Sequence, residues 1–380
     1  MKLRSIKEAG KLRGKRVLLR LGLNAAIKNG KVMGGFRLQK VIPTIVFLKK
    51  KGAKVIIMGH IGRERTQSLK PVADYVSKMT KIRFVPDLHD KNLPDIIANM
   101  KEGSALMLEN LRSDLGEVKN TAAFARYLAS LGDIYVNDAF SASHRKHASI
   151  VSLPKLLPGY AGLHFEEEIK HLSLVKKPSR PFLFILGGAK FSTKMPLMKK
   201  FFRIADYVFI GGALANTFFK EQGFETGRSL ADEDDFNLGT LLRSKKLVLP
   251  SDVVVKNRRS VFVKKPQEVA VDDTITDAGP ETIKELKRLV SLSKFVLYNG
   301  PLGNYEEGFE KGTAELLRVI AKSRAITVVG GGDTLTLVSA LKLHNKFTFV
   351  STGGGAMLDF LAEGTLPGIE ALQKSAKRFI

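Results

Sequence analysis

Cysteine is absent from the 380 residues, which excludes disulfides, thiolate nucleophiles and cysteine-ligated metals. No apolar run approaches the ~20 residues that a membrane-spanning helix needs. The basic N-terminal stretch MKLRSIKEAGKLRGKR is not followed by an apolar segment with a small-residue cleavage site. A cytoplasmic protein is therefore expected. Acids are scarce at the start, the first fifty positions holding only Glu8. Familiar phosphate-binding signatures are missing too. There is no G-x-x-x-x-G-K-[ST] loop, no kinase H-R-D or D-F-G set, and no G-x-G-x-x-G after a strand with an acid at dinucleotide spacing. A hydrolase G-x-S-x-G elbow is lacking, and the H-R-K-H cluster at 144–147 has no acids beside it, which argues against zinc.

What is present is charge and alternation. Lysine and arginine number 62 against 37 acids, a formal +25. Residues 1–150 hold 29 basic and 12 acidic residues, a net +17, while residues 151–380 carry +8. Such a surplus attracts anions without choosing among phosphorylated metabolites, nucleotides and nucleic acid. Phe and Tyr are not interleaved with the basic runs as a single-strand stacking platform requires, so a nucleic-acid partner stays an open second class. A chain of this length predicts two domains.

Strand-like apolar runs (KRVLLRL, AKVIIMG, SALMLEN, DIYVNDA, then PFLFILGG, DYVFIGG, KLVLPSD, KFVLYNG, AITVVGG, FTFVSTGG) alternate with helical patterns such as Leu38, Val41, Ile42, Ile45 and Leu48. Pro43 predicts that this helix begins late or is kinked. The alternation predicts an α/β protein of two Rossmann-like, doubly wound parallel-sheet domains. The boundary is expected near residues 153–181, with Phe165 to Val175 as a stiff helical connector.

Ligands of such sheets bind beyond the carboxyl ends of the strands. In the first half those ends carry cations: Arg20, His60, Arg63, Arg112, His144, Arg145 and His147. Solvated loop charge is the bland reading of each, but the set at one edge favours a small polyanion site. In the second half the ends carry glycine, as in ILGGAK, IGGALANTF, YNGPLG, VGGGDT and STGGGA. Tight βα turns use glycine anyway, yet five such clusters favour a nucleotide site built from backbone N–H groups and helix N-termini. Lys190 and Lys194 are predicted to share a helix face toward a phosphate chain. Asp333 is placed to hold Mg²⁺ through oxygen. A polyanion domain and a nucleotide domain together describe phosphoryl transfer between a metabolite and ADP or ATP.

Taken in order, GHIGR with SLKPVADYVS, LENLR, YVNDAFSASHRKHAS, ILGGAKFSTK, IGGALANTF, YNGPLG, VVGGGDT, FVSTGGGAMLDFL and LPGIEAL resemble phosphoglycerate kinase of the bacterial type over essentially the whole chain. The resemblance implies a hinge-bending monomer that interconverts 1,3-bisphosphoglycerate and ADP with 3-phosphoglycerate and ATP, using Mg²⁺. It implies residues 1–155 as a phosphoglycerate-binding domain, 156–178 as interdomain helix and hinge, 179–365 as nucleotide-binding domain, and 366–380 as a segment returning to the first domain. The acceptor would be held by matches at Asn24, Arg37, His60, Arg63, Arg112 and Arg145, with Gly22, Leu23, Ile61 and Gly62 from the same stretches. The nucleotide would be held by Lys190, Lys194, Gly211, Gly212, Asn299, Glu306 and the run Gly331, Gly332, Asp333, Thr334, with Asp333 facing the metal. Arg37, Lys194 and the N–H groups of Gly353 and Gly354 would bracket the transferring group.

The chain departs from the family pattern in places. Gly22 stands where the resemblance implies an Asp that hydrogen-bonds the substrate hydroxyl. Glu64 stands for proline, Ser141 for glycine, and GNYEE at 303–307 for G-V-F-E-F. Gly22 motivates an alternative: a relative that phosphorylates another carboxylate, or binds without turnover.

Overall fold

The computed structural model describes residues 3–379 except 233, 235 and 259. The chain forms two compact units, one built from the segments up to Lys170 and from Glu363 onward, the other His171–Ala362.

The first unit contains β1 (Arg16–Leu21), the hairpin β2 (Ala26–Lys28) and β3 (Lys31–Met33), then β4 (Lys54–Met58), β5 (Arg83–Val85), β6 (Ala105–Leu108), β7 (Ile134–Asp138) and β8 (Gly159–Ala161). Six of them form a parallel sheet in the order β5-β6-β4-β1-β7-β8. Parallel strands are covered on both faces and so read as continuous apolar runs. Val17, Leu18 and Leu19 of β1 and Val55, Ile56 and Ile57 of β4 are accordingly fully buried. Each such side chain contributes ~1.5–3 kcal/mol. Because β1 lies between β4 and β7, chain order reverses there, and a crevice opens beyond its carboxyl end.

The second unit contains β9 (Phe182–Leu186), β10 (Tyr207–Ile210), β11 (Leu247–Val248), β12 (Val253–Lys256), β13 (Val261–Lys264), β14 (Thr274–Ala278), β15 (Phe295–Asn299), β16 (Ile326–Gly330) and β17 (Phe349–Val350). Its parallel sheet runs β11-β10-β9-β15-β16-β17, with the reversal between β9 and β15. Phe182, Phe184, Phe201 and Phe295 stack edge-to-face and in offset fashion in its core.

One local expectation is corrected, one is sharpened and one sheet is added. Pro43 does not delay the helix, which runs Phe36–Lys50 around it. Pro43 and Gln39, whose carbonyl the proline leaves without an N–H, both lie on the exposed face, where water can take the bond. The helix of the boundary region is Leu163–Leu172 and tightens into a 3₁₀ turn, Ser173–Lys176. The second unit also carries a small antiparallel sheet, β13-β12-β14, that the apolar runs did not announce. Val261, Phe262 and Val263 of its edge strand are exposed, so no buried face imposed a recognisable pattern.

Candidate active site

The first unit gathers its site around β1. Arg20, on the last turn of pleat before the crevice, is fully buried. Its Nε donates to Ser149 Oγ at 2.9 Å, one terminal nitrogen donates to the Leu21 carbonyl at 2.5 Å, and the other lies 2.8 Å from His60 Nδ1. A guanidinium can only donate, so His60 Nδ1 is the acceptor and its proton sits on Nε2. Burial, then the charges of Arg20, Arg112 and Arg145, push the His60 pKa far down, so the ring is neutral.

Burial also works against the charge of Arg20, and Glu117 supports it. Glu117 is itself fully buried, 4.0 Å from Arg20 and 3.7 Å from His147 Nδ1. It accepts from the Ser149 N–H at 2.9 Å and the Ser149 hydroxyl at 2.6 Å. Burial alone would raise its pKa, but His147, Arg20 and Ser149 hold it below the ordinary value. The chain Glu117–Ser149–Arg20–His60 thus ends in an N–H at the crevice.

The loops around it are tied to one another. Asn24 accepts the Gly62 N–H through Oδ1 at 2.9 Å, and its carbonyl accepts Arg37 at 2.8 Å. Arg112 donates to the Gly62 carbonyl. Asn110 accepts from Ile61 N and Arg112 N and donates to the carbonyls of Ile61 and Gln67. Glu109 accepts from Ser68 Oγ and Leu69 N. Gly62 has φ +62°, and a Cβ there would strike Gln67. Leu23 is buried against Gly59, where a Cβ would meet its side chain. Arg63 is exposed, and Arg145, half-buried, donates from Nε to His144 Nε2 at 3.3 Å. Burial and the Arg145 charge push His144 down to about 4. A cleft of about 590 Å³ opens beside Asn24, Ile61, Gly62 and Ser68.

The second unit puts its glycine loops at the reversal between β9 and β15. They sit backbone against backbone: Gly187 N–H donates to the Asn299 carbonyl at 2.8 Å, and Gly188 N–H to the Pro301 carbonyl at 2.7 Å. A Cβ at Gly187 would lie 2.3 Å from the Pro301 carbonyl oxygen, one at Gly300 2.3 Å from that of Gly187, and one at Gly212 2.7 Å from Gly188 N. These glycines allow loop-on-loop packing before they offer anything to a ligand. Gly211 is likewise crowded, by Phe209 and Leu302. Gly332 and Gly354 are open, while the Gly353 N–H already donates to Ser351 Oγ at 3.1 Å.

Lys194 lies on the helix Phe191–Ile204, which starts at Lys190 with φ +64°. Its ammonium folds back onto the carbonyls of Gly187 at 3.0 Å and Ala189 at 2.7 Å. Burial lowers its pKa to about 8, against the raising effect of Asp333. Lys190 is exposed, so the two lysines do not share one environment. Asp333, exposed, and Thr334, buried, open the helix Gly332–Ala340 after Gly331. A cleft of about 320 Å³ is lined by Gly188, Gly212, Asn216, Asp277, Asn304, Tyr305, Glu306 and Asp333. Asn299, buried at the end of β15, contacts Met357 sulfur.

Asp277 in this cleft escaped the motif search. It accepts the Gly312 and Ala278 N–H groups at 2.8 Å, and burial pushes it up to about 6. Glu117, Ser149 and Asn110 were missed as well. Asn110 and Ser149 lie inside stretches that carry the family resemblance, Glu117 and Asp277 outside them, and what marks all four is a polar side chain that is buried.

A unit with a buried, cation-rich crevice and a unit with a glycine-lined cleft carry the parts of a phosphotransferase. A family model, phosphoglycerate kinase, matches residues 6–364. A phosphoglycerate kinase of Coprothermobacter proteolyticus is 40% identical, over 98% of this chain and 99% of that protein. One from Orientia tsutsugamushi is 40% identical over 96% and 95%. Solved structures of phosphoglycerate kinase from Coxiella burnetii (TM-score 0.83, 33% identity) and Pyrococcus horikoshii (TM-score 0.87, 29% identity) each align over 99% of this chain and 100% of their own. The chain belongs to the phosphoglycerate kinase family.

Proposed function

We propose that the chain catalyses glycolytic phosphoryl transfer, interconverting 1,3-bisphosphoglycerate and ADP with 3-phosphoglycerate and ATP. The observation that carries this reading is the Arg20–His60 arrangement, a fixed neutral N–H donor among Arg63, Arg112 and Arg145. 3-Phosphoglycerate has an anion at each end, and arginine forks match both its carboxylate and its phosphate. The glycine loops and Lys194 would take the nucleotide, with Glu306 toward the ribose hydroxyls.

Mg²⁺ fits as a metal that arrives with the nucleotide. Among the described residues no group of three or more His, Asp or Glu side chains could hold a metal. Asp333 offers one exposed carboxylate in the first turn of its helix, and Mg²⁺ commonly keeps waters and phosphate oxygens besides one or two carboxylates. Bound there, the metal would neutralise phosphate charge. Arg37 and Lys194 would supply the remaining positive charge for in-line transfer, which asks for positioning more than covalent help. A cytoplasmic monomer is the state in which we expect it to work. No helix among the described residues is long and apolar enough to cross a membrane.

The test is a coupled assay with 3-phosphoglycerate and Mg-ATP. Turnover at millimolar substrate is expected, and its absence in protein that binds nucleotide would reject the reading.

A further inference from the structure

We propose that the hydroxyl of Ser141, seated over the side-chain-free position 22, reads the hydroxyl of the acceptor; this rests on the reading of the crevice given above. Gly22 follows β1, whose Arg20 pairs with Asn137 and Met58 and whose Leu21 pairs with Asp138, so the loops after β4 and β7 flank it. Ser141 comes from the loop after β7. Its Oγ lies 2.8 Å from where a Cβ on Gly22 would stand, so the serine hydroxyl fills the space of the absent side chain. Among the described residues that hydroxyl has no hydrogen-bond partner, and the residue is half-buried.

Counting donors and acceptors assigns the role. 3-Phosphoglycerate has two anionic ends, which accept, and one hydroxyl, whose proton needs an acceptor. Arginine offers none. His60 spends Nδ1 on Arg20 and presents an N–H. His144 Nε2 takes Arg145, and Asn24 Oδ1 takes the Gly62 N–H. Asn24 Oδ1 keeps one lone pair but is tied to the Gly62 loop, whereas Ser141 Oγ accepts nothing among the described residues and lies beside position 22, and it can also return its own proton to a substrate oxygen. The arrangement makes specificity for a hydroxylated acceptor depend on an uncharged group.

The experiment is calorimetric titration of the full-length protein with 3-phosphoglycerate and with its 2-deoxy analogue, 3-phosphonooxypropanoate. Wild type should prefer the hydroxylated ligand by about 3- to 10-fold, the size of one net hydrogen bond. Ser141→Ala should erase the preference by weakening 3-phosphoglycerate alone. Adding Gly22→Asp to Ser141→Ala should bring it back, because the vacated space then admits a side chain that ends in an acceptor. Nucleotide titration of each variant checks folding. Equal preference in wild type and Ser141→Ala, or equal weakening of both ligands, overturns the proposal and leaves the proposed function standing. Wild-type protein that binds nucleotide but neither acid at millimolar concentration overturns both.

Discussion

At the residue scale, two groups of the proposed sites have strongly displaced chemistry, His60 and Lys194. Lys194 ionises near 8 because its ammonium is buried against carbonyls. The free enzyme should therefore lose kcat/KM for nucleotide as pH rises through about 8, and Lys194→Arg should move that limb upward, since a guanidinium stays charged. A pH–rate profile measures both. The effect on stability has the opposite sign. Between about 8 and the ordinary 10.5 the folded chain binds fewer protons at this site than the unfolded chain, so this lysine's contribution to stability rises with pH there. Glu117 is the other sensitive point. Glu117→Gln leaves Arg20 buried with its charge uncompensated, and urea unfolding should show a loss of about 3 kcal/mol. A loss below about 1 kcal/mol would mean that Ser149 alone satisfies the arginine.

At the scale of elements the parallel strands were legible and the supports of the site were not. β1, β4, β9 and β15 announced themselves because burial on both faces demands unbroken apolar runs. The cations of the crevice were legible because a doubly wound sheet puts its ligands at one predictable edge. Glu117 and Asn110 were not, since a buried polar residue is chosen by partners that only the fold brings near. The glycines were half-read. They were expected to face phosphate, yet Gly187, Gly212 and Gly300 are first required by the backbone of neighbouring loops. A contrast tests this. Gly308→Ala, at φ +83° in open space, should cost only the ~1–2 kcal/mol of a left-handed alanine. Gly300→Ala, at φ +89° and against a carbonyl oxygen, should cost clearly more and weaken nucleotide binding with it. Thermal unfolding and nucleotide titration of the two variants separate the cases.

At the scale of the whole molecule, charge is concentrated where the acceptor is proposed to bind: residues 1–150 carry +17 of the total +25. Exposed charge is screened within ~8 Å at physiological ionic strength, whereas buried groups are screened less. Raising salt from about 20 to 300 mM should therefore raise KM for 3-phosphoglycerate several-fold while kcat changes little. A salt-independent KM would assign the acceptor's grip to the buried groups alone. An RNA affinity that falls steeply over the same range would instead give part of the surplus to nucleic acid. The Arg20–His60 contact bears on how such a field behaves in a living cell. Because the imidazole has already surrendered its acceptor nitrogen to a permanent cation, acidification cannot recruit it as a further charge. That imidazole is a histidine yet no proton sensor, and its own part in the pull on an anion should stay level when the surrounding medium sours.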